Sequence, residues 1–595
     1  MKKNSTILYI IAFAVTMCFS ACVKSTLDKK PTLSFFEDNA FQTFDLAQTY
    51  SFGFYTAFDG YDLAHINNEW NADLVMNNSA AQGSNWIWNR MTIPTSDPLW
   101  NFATIRRVNI MLKNIDNSLM TEEEVNHWKS IGYFFRAFDY YAKIAAFGDV
   151  PWIDQVVTEQ DENLLFGERT PRDVVANNML TDLLFAETHI MEPGTKGIVP
   201  NSVGVGAVRA LISRFGLFEG TWRKYHGLGD ANKFLQASAD ASKKLIDANP
   251  ELHPNYDEVF NSESLAGVKG IILYKQYDQG VLTHVLTSRH KNSAGNWDVT
   301  KKGADSYLLQ DGKTRWNSPL FTTDKNPYDE FRNRDRRMLY TIVPPFRVNK
   351  VSGNQLAFTY TSNPADREYI DLFASISDER HKSLPSRNWA GQVLNVSPHF
   401  RDFNEGVPFN VSRTGYFTFK YYNRFHDIQN QDFSDAPIFR MGEVLVNYAE
   451  AMFELGQFNQ AVADLTINKL RARGAVAAMK VAEITAGFDP TRDPEVDPVL
   501  WEIRRERGVE LMLEGFRFDD LRRWKKMSYA SEEKLGRWIK KSDYGNKLKT
   551  QDNAAEGYIV NFGKPPAFPD YYYLYPVPSN QIVLNPKIQQ NPGWK

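Results

Sequence analysis

Cysteine is almost missing from this 595-residue chain: there are two, Cys18 and Cys22, and both precede any plausible folded region. The remainder cannot be stapled by disulfides, so packing must stabilise it. Structural zinc usually takes four ligands, and no second cluster of Cys or His follows the pair, which argues against a metal site. Long apolar runs are missing as well. The run at residues 7–19, "ILYIIAFAVTMCF", has 13 residues interrupted only by Thr16, short of the ~20 that a membrane-spanning helix requires. Nor is there a marked excess of either charge, since the formal balance is −3; nucleic acid is a poor partner for such a chain. No nucleophile elbow, zinc-protease signature or phosphate-binding glycine loop occurs. Catalytic residues, metal ligands and cofactor sites are therefore not expected.

What stands at the beginning is a leader. Lys2 and Lys3 precede the apolar run, and small Ser20 and Ala21 follow it, the layout of a secretory signal peptide. Placed directly before Cys22, the small residues resemble the bacterial lipobox, in which cleavage leaves the cysteine first in the chain with acyl groups on its thiol and amine. The expectation is a signal over 1–21, lipidation at Cys22 and a polar tether over 22–38 containing Pro31. Loss of Lys2 and Lys3 makes the mature chain two units more negative.

Apolar spacing then predicts helices over about 40–58, 98–118, 122–147, 171–191, 203–226 and 230–248. In the third, Ile131, Phe134, Phe135, Phe138, Tyr141 and Ile144 share a stripe, Gly148 ends it and Pro151 prevents its resumption. From 281 to 437 Gly, Pro, Asn, Ser and Asp punctuate short pieces, which reads as a loop-rich region ordered by its aromatics. Helices return near 438, where Leu455, Gly456, Phe458 and Ala461 match the turn of a tetratricopeptide unit. The predicted fold is mainly α: a tetratricopeptide-like scaffold of helical hairpins in two parts, 39–280 and 438–595, enclosing a large loop-rich ligand-binding subdomain over 281–437.

Residues 501–526, "WEIRRERGVELMLEGFRFDDLRRWKK", hold a dense set of acids and bases. Two carboxylates are what a glycosidase needs, but Arg507 and Glu510, Glu514 and Arg517, and Asp519 and Arg523 are spaced to pair along a helix face. The expected role is an ion-paired scaffold, with Val509, Leu513, Phe516, Leu521 and Trp524 buried and a break at Gly515.

The pieces "RMGEVLVNYAEA", "IRRERGVELMLEGFRFDDLRRW" and "YLYPVPSNQIVLNPKIQQNPGW" resemble, in order and spacing, the C-terminal signature of the SusD/RagB family of nutrient-binding outer-membrane lipoproteins. "RAFDYYAKIAAFGDVPW", "ALISRFGLFEGTW", "NRDRRMLYTIVPP" and "TGYFTFKYYN" extend the likeness over nearly the whole chain. The resemblance implies a helical SusD-like fold, a lipid-anchored place on the cell surface at the outer membrane, and a SusC-like TonB-dependent transporter as partner. It also implies a non-catalytic protein that binds an oligosaccharide for uptake; peptide binding and, more remotely, glycoside hydrolysis are the alternatives.

In relatives that bind glycans the site is an aromatic platform, and a sugar's apolar face does pack on indole or phenol rings while polar groups meet its hydroxyls. Candidates are Trp70, Asp73, Trp86 and Trp88 in the first loop, Trp86 and Trp88 sharing a face if the segment is extended. Trp297, Trp316 and Trp389 are the candidates in the central region. Trp100, Trp222 and Trp524 read as core.

Overall fold

The computed structural model describes residues 40–78, 83–292, 297–376, 381–403 and 405–595. The expected leader, Cys22 and tether lie outside these described residues. The longer N-terminal helices are α1 (Phe44–Ser51), α2 (Ala103–Ile115), α3 (Glu122–Phe147), α4 (Arg172–His189), α5 (Val205–His226) and α6 (Ala231–Ala248). After the short α7 (Lys301–Asp305) come α8 (Met441–Glu454), α9 (Gln460–Leu465), α10 (Ile467–Arg473), α11 (Pro498–Glu510) and α12 (Arg517–Arg523). The fold is mainly α, a tetratricopeptide-like helical scaffold as expected.

Local chemistry explains the helix ends. Thr121 and Glu124 form a capping box at the start of α3, whose first turn carries Glu122, Glu123 and Glu124 against the positive end of the helix dipole. Its last residue is followed by Gly148 at φ 74°, a backbone position that favours glycine. The first two expected helices are shorter than the periodicity implies. α1 gives way to a 3-10 turn over Phe52–Ala57, and α2 begins only at Ala103, whose amide donates to Asn101 Oδ1 at 2.9 Å. Trp100 therefore lies outside the helix, although it is core as predicted, packing edge-on to Phe147.

α3 packs between α2 and α4, α5 lies beside α4 and α6, and α8 closes on α5 and α6 before α11 covers α8. The α5–α6 crossing depends on two glycines. A Cβ on Gly216 would stand 2.7 Å from the Phe234 carbonyl oxygen, and one on Gly220 would meet Leu235 at the same distance. Among the later helices, Gly456 turns the chain at φ 74° and Phe458 packs on the core. Ala461 is exposed, however, and the buried small residue of α9 is Ala463, two positions on.

Strands are short and mostly paired across long sequence distances. β1 (Val75–Asn77) pairs antiparallel with β3 (Trp297–Val299), setting Val75 opposite Val299 and Asn77 opposite Trp297. β2 (Ile271–Lys275) pairs with β7 (Ala436–Arg440), β4 (Phe346–Val351) lies between β5 (Asn354–Tyr360) and β6 (Val396–Ser397), and β8 (Leu535–Lys540) pairs with β9 (Glu556–Val560). A large helical core is accompanied by a second apolar cluster that includes Tyr307, Phe346, Tyr416 and Phe419, and by a third around Trp86, Trp222 and Trp524.

The charged segment is a buried scaffold, but its pairs are not the local ones the spacing predicts. Glu510 is 0% exposed and is ion-paired to Arg440, Arg473 and Arg337. Arg507 binds Asp520, Glu514 binds Arg440 and Lys420, Arg517 binds Asp73, and Arg523 binds Glu450 as well as Asp520. Asp519 does pair along the helix, with Arg522 rather than Arg523. Helical spacing anticipates neighbours on an exposed face; α11 and α12 are enclosed, so their long side chains meet the elements packed against them. Gly515, at φ 83°, breaks the segment between the two helices as expected.

Candidate functional site

A cavity of about 600 Å³ opens where the chain segment before β1, helix α7, the 489–494 loop, α11 and the β8–β9 hairpin converge. Its loop wall is tied to the helix by Asp489, which accepts from Trp501 Nε1 at 2.7 Å and pairs with Arg505. Thr491 also donates to Asp489 through its hydroxyl at 2.7 Å, so a segment without regular structure is held against α11.

Aromatic rings from four separate places line this space. Trp316 is 40% exposed, and one face of its ring lies under the Arg315 guanidinium, 4.7 Å from the ring centre. Arg315 is itself fixed by Asp305 at 3.2 Å, by Asp324 and by the Tyr558 hydroxyl at 3.2 Å. Tyr529 carries the Lys302 ammonium over its ring at 4.8 Å and donates its hydroxyl to Asp493. Trp501, Trp524 and Tyr558 complete the set.

The carboxylates of the wall are largely committed to cations. Asp73, 3% exposed, receives Arg517 Nε at 2.8 Å and Lys302 Nζ at 3.3 Å. Burial alone would raise its pKa, but Arg517 and Lys302 outweigh burial and hold it well below the usual carboxylate range. Asp489 is likewise lowered, burial being outweighed by Arg505, and so is Asp493, where the bonds from Lys526 and Tyr529 prevail over burial. Lys534 is a displaced base: burial takes its amine down to about 7, although Asp73 and Glu69 pull it up. Nearby Glu69 is raised by burial to about 7. Among the described residues no group of His, Cys, Asp and Glu is arranged to hold a metal ion.

Of the residues expected to touch a ligand, Asp73 and Trp316 stand in the wall of this cavity. Trp70 and Trp88 line a smaller adjoining pocket with Phe562, and Lys534 belongs to both spaces. Trp86 and Trp88 do not share an extended face, because Ser84 to Asn89 coil into a turn in which the Trp88 amide donates to the Ser84 carbonyl. Trp86 is buried, 4.5 Å from Tyr575 between ring centres, and Trp297 is 1% exposed on β3, stacked on His290. Neither offers a ring face to a ligand in this conformation. Trp389 is half-buried elsewhere and borders neither space. Trp501, Tyr529, Tyr558 and Lys534 are not anticipated by the sequence. Trp501 belongs to the charged segment that reads as scaffold, and a single Tyr or Lys in a loop carries no sequence signal.

Residues 269–594 match the model described as SusD family, more than half of the chain. The chain belongs to the SusD family. Residues 28–217 match a second model, described as starch-binding associating with outer membrane. A "SusD-like protein P2" of Formosa agariphila is 24% identical over 168 residues, 28% of this chain and 31% of that protein, so the match spans about a third of the curated relative. The fold is similar to a SusD-like carbohydrate binding protein from Bacteroides fragilis, at 20% identity, TM-score 0.65 and coverage of 92% of this chain and 99% of the other. A second SusD-like protein from Bacteroides fragilis superposes with TM-score 0.64 at 20% identity, covering 94% and 98%. A laminarin binding SusD-like protein gives 0.50 at 17% identity, covering 93% and 99%. Among the described residues no helix is long and apolar enough to cross a membrane.

Proposed function

We propose that this chain is a cell-surface lipoprotein that binds an oligosaccharide and passes it to a SusC-like TonB-dependent transporter in the outer membrane. The observation that carries the binding part is the cavity with Trp316 in its wall: a pyranose can lie on the free face of an indole whose other face is occupied by Arg315. The volume is in the range of small-ligand sites. Family membership and the description of the second matching model support the location and the partner. Acylation of Cys22 supplies the anchor.

Binding without turnover is favoured by the state of the carboxylates. A glycosidase keeps one carboxyl protonated near neutral pH by raising its pKa, whereas Asp73, Asp489 and Asp493 in the wall are lowered, and Glu69, which is raised, is buried at 1% exposed and does not line the cavity. Calorimetry of the pure protein against a glycan panel and a peptide panel, with chromatography of each mixture, tests the reading. Heat with glycans and intact sugars is expected. Peptide binding alone would reassign the ligand class, and cleavage of any sugar would overturn the non-catalytic assignment. For the anchor, Cys22→Ala should move the protein out of the membrane fraction.

A further inference from the structure

The cations of the cavity are not all matched by carboxylates, and the unmatched ones stand at definite positions. Lys302 is paired with Asp73 and Glu532, Arg315 with Asp305 and Asp324, and Arg505 with Asp489 and Glu502. Lys534 is different. Its ammonium donates to two main-chain carbonyls, Trp70 at 3.2 Å and Val75 at 2.9 Å, and it makes no ion pair among the described residues. Arg492 donates to three carbonyls, those of Asp493 and Pro494 at 2.9 and 3.3 Å and that of Val496, again without an ion pair among the described residues. On the opposite side of the balance, Glu533 lines the cavity and, among the described residues, receives only a 3.5 Å bond from Gln551.

A half-buried ammonium with two carbonyl acceptors retains one unused hydrogen and a charge that no ion pair among the described residues neutralises, and desolvation makes that state costly. We propose that the cavity takes an acidic oligosaccharide, one bearing a carboxylate or sulfate, and that Lys534 holds the acidic group, with Arg492 serving a second one. This rests on the oligosaccharide-binding reading above and narrows its substrate class. Lys534 is well placed for such a role, being common to the large cavity and to the Trp70–Trp88 pocket, so a chain spanning both would pass its ammonium. The groups facing it are Glu69 and Asp73 before β1, which favour its charged form, and Lys302 on α7, which opposes it.

Because burial brings the amine down to about 7, an anion that favours the ammonium must draw in a proton when it binds at or above that pH. Affinity for an acidic sugar then falls as pH rises through 7 and beyond, approaching tenfold per unit. Calorimetry with the full chain against three probes of equal length decides the matter: a galacturonate tetrasaccharide, a sulfated carrageenan tetrasaccharide and laminaritetraose. At pH 6 at least one acidic probe should bind tenfold or more tightly than the neutral one, and which of the two does so identifies the acidic group. Lys534→Met should abolish that preference and the pH dependence with at most a small fall in melting temperature from the lost bonds to the Trp70 and Val75 carbonyls, while Lys534→Arg should keep the preference and lose the pH dependence. Laminaritetraose binding as well as or better than both acidic probes would overturn the inference and leave the oligosaccharide reading standing. Binding of none of the three would overturn the acidic-sugar inference, the glycan and peptide panels above deciding the oligosaccharide reading separately, and an acid preference that survives Lys534→Met would remove Lys534 from the role.

Discussion

Replacing Glu510 by Gln keeps the size of the side chain and removes its charge from among three guanidinium groups. Arg440, Arg473 and Arg337 lie within 3.0 Å of its oxygens, and every member of the set is at most 4% exposed at the side chain. Stripping one partner from a buried ionic cluster leaves the others uncompensated in a medium that solvates them poorly, which costs about 3–5 kcal/mol. Arg440 also meets Glu514, and Arg337 also meets Asp335 and Glu506, so among the described residues Arg473 alone loses its carboxylate and the lower half of that range applies. The same geometry fixes the pH dependence. Burial opposes ionisation of Glu510, but Arg473, Arg440 and Arg337 overcome it, and its folded pKa lies well below the ordinary value. Its stabilisation is thus complete above the unfolded-state pKa of ~4.3 and is lost as pH falls below that toward the folded value. Urea unfolding followed by tryptophan fluorescence should show a lower midpoint for Glu510→Gln at pH 7 and a smaller difference from wild type below about pH 4. Glycan affinity of the folded variant should be unchanged, since Glu510 does not line the cavity. A loss under about 1 kcal/mol at pH 7, far short of the range for a broken buried pair, would refute the argument, because it would mean that Arg473 finds another partner or water and that the remaining carboxylates suffice for Arg440 and Arg337.

Trp316→Ala should weaken oligosaccharide binding by up to about tenfold, as loss of a ring-face contact worth ~0.5–1.5 kcal/mol predicts, while the melting temperature by differential scanning fluorimetry stays near that of wild type. Trp297→Ala should behave oppositely, destabilising by about 3–5 kcal/mol through a cavity in the second core, as chemical denaturation would reveal. Gly220→Val should force α5 and α6 apart and lower stability by roughly 1–3 kcal/mol, whereas the same change at the exposed Gly229, where a Cβ meets nothing within 4 Å, should cost much less in the same assay.

The long helices are legible because each carries its own signals. The 122–147 span can be read to the residue from the Thr121–Glu124 box, the stripe and Gly148. Where such signals compete, periodicity misleads: the apolar run before Ala103 looks helical, yet Asn101 captures the helix amide and delays the first turn. Side-chain pairing is less accessible still. Spacing on one helix can only nominate partners three or four positions away, and the partners of Glu510 are Arg337, Arg440 and Arg473, brought together by tertiary packing. The site is the hardest part. Aromatic loop residues nominate themselves equally whether they end in a core, like Trp297, or beside an open cavity, like Trp316. Composition does not distinguish the two, because both fates require the same apolar ring.

Scaffold and cavity share the same ion pairs, and this bears on how a ligand would be held. Arg505 and Arg517 each join a buried helix to a cavity-lining carboxylate, Asp489 and Asp73, so the wall is in place before any ligand arrives. Binding then loses little conformational freedom, which raises affinity for a given contact area. The same pairing limits what the wall can offer, since a carboxylate already meeting a guanidinium has fewer lone pairs left for sugar hydroxyls. Rings such as Trp316 and cations without a carboxylate partner among the described residues, such as Lys534, therefore remain as the groups with most unused capacity. A site of that kind gains from an aromatic face and from charge on the ligand while leaving neutral hydroxyls mostly to water, an arrangement suited to the release that the proposed hand-over to a transporter would require.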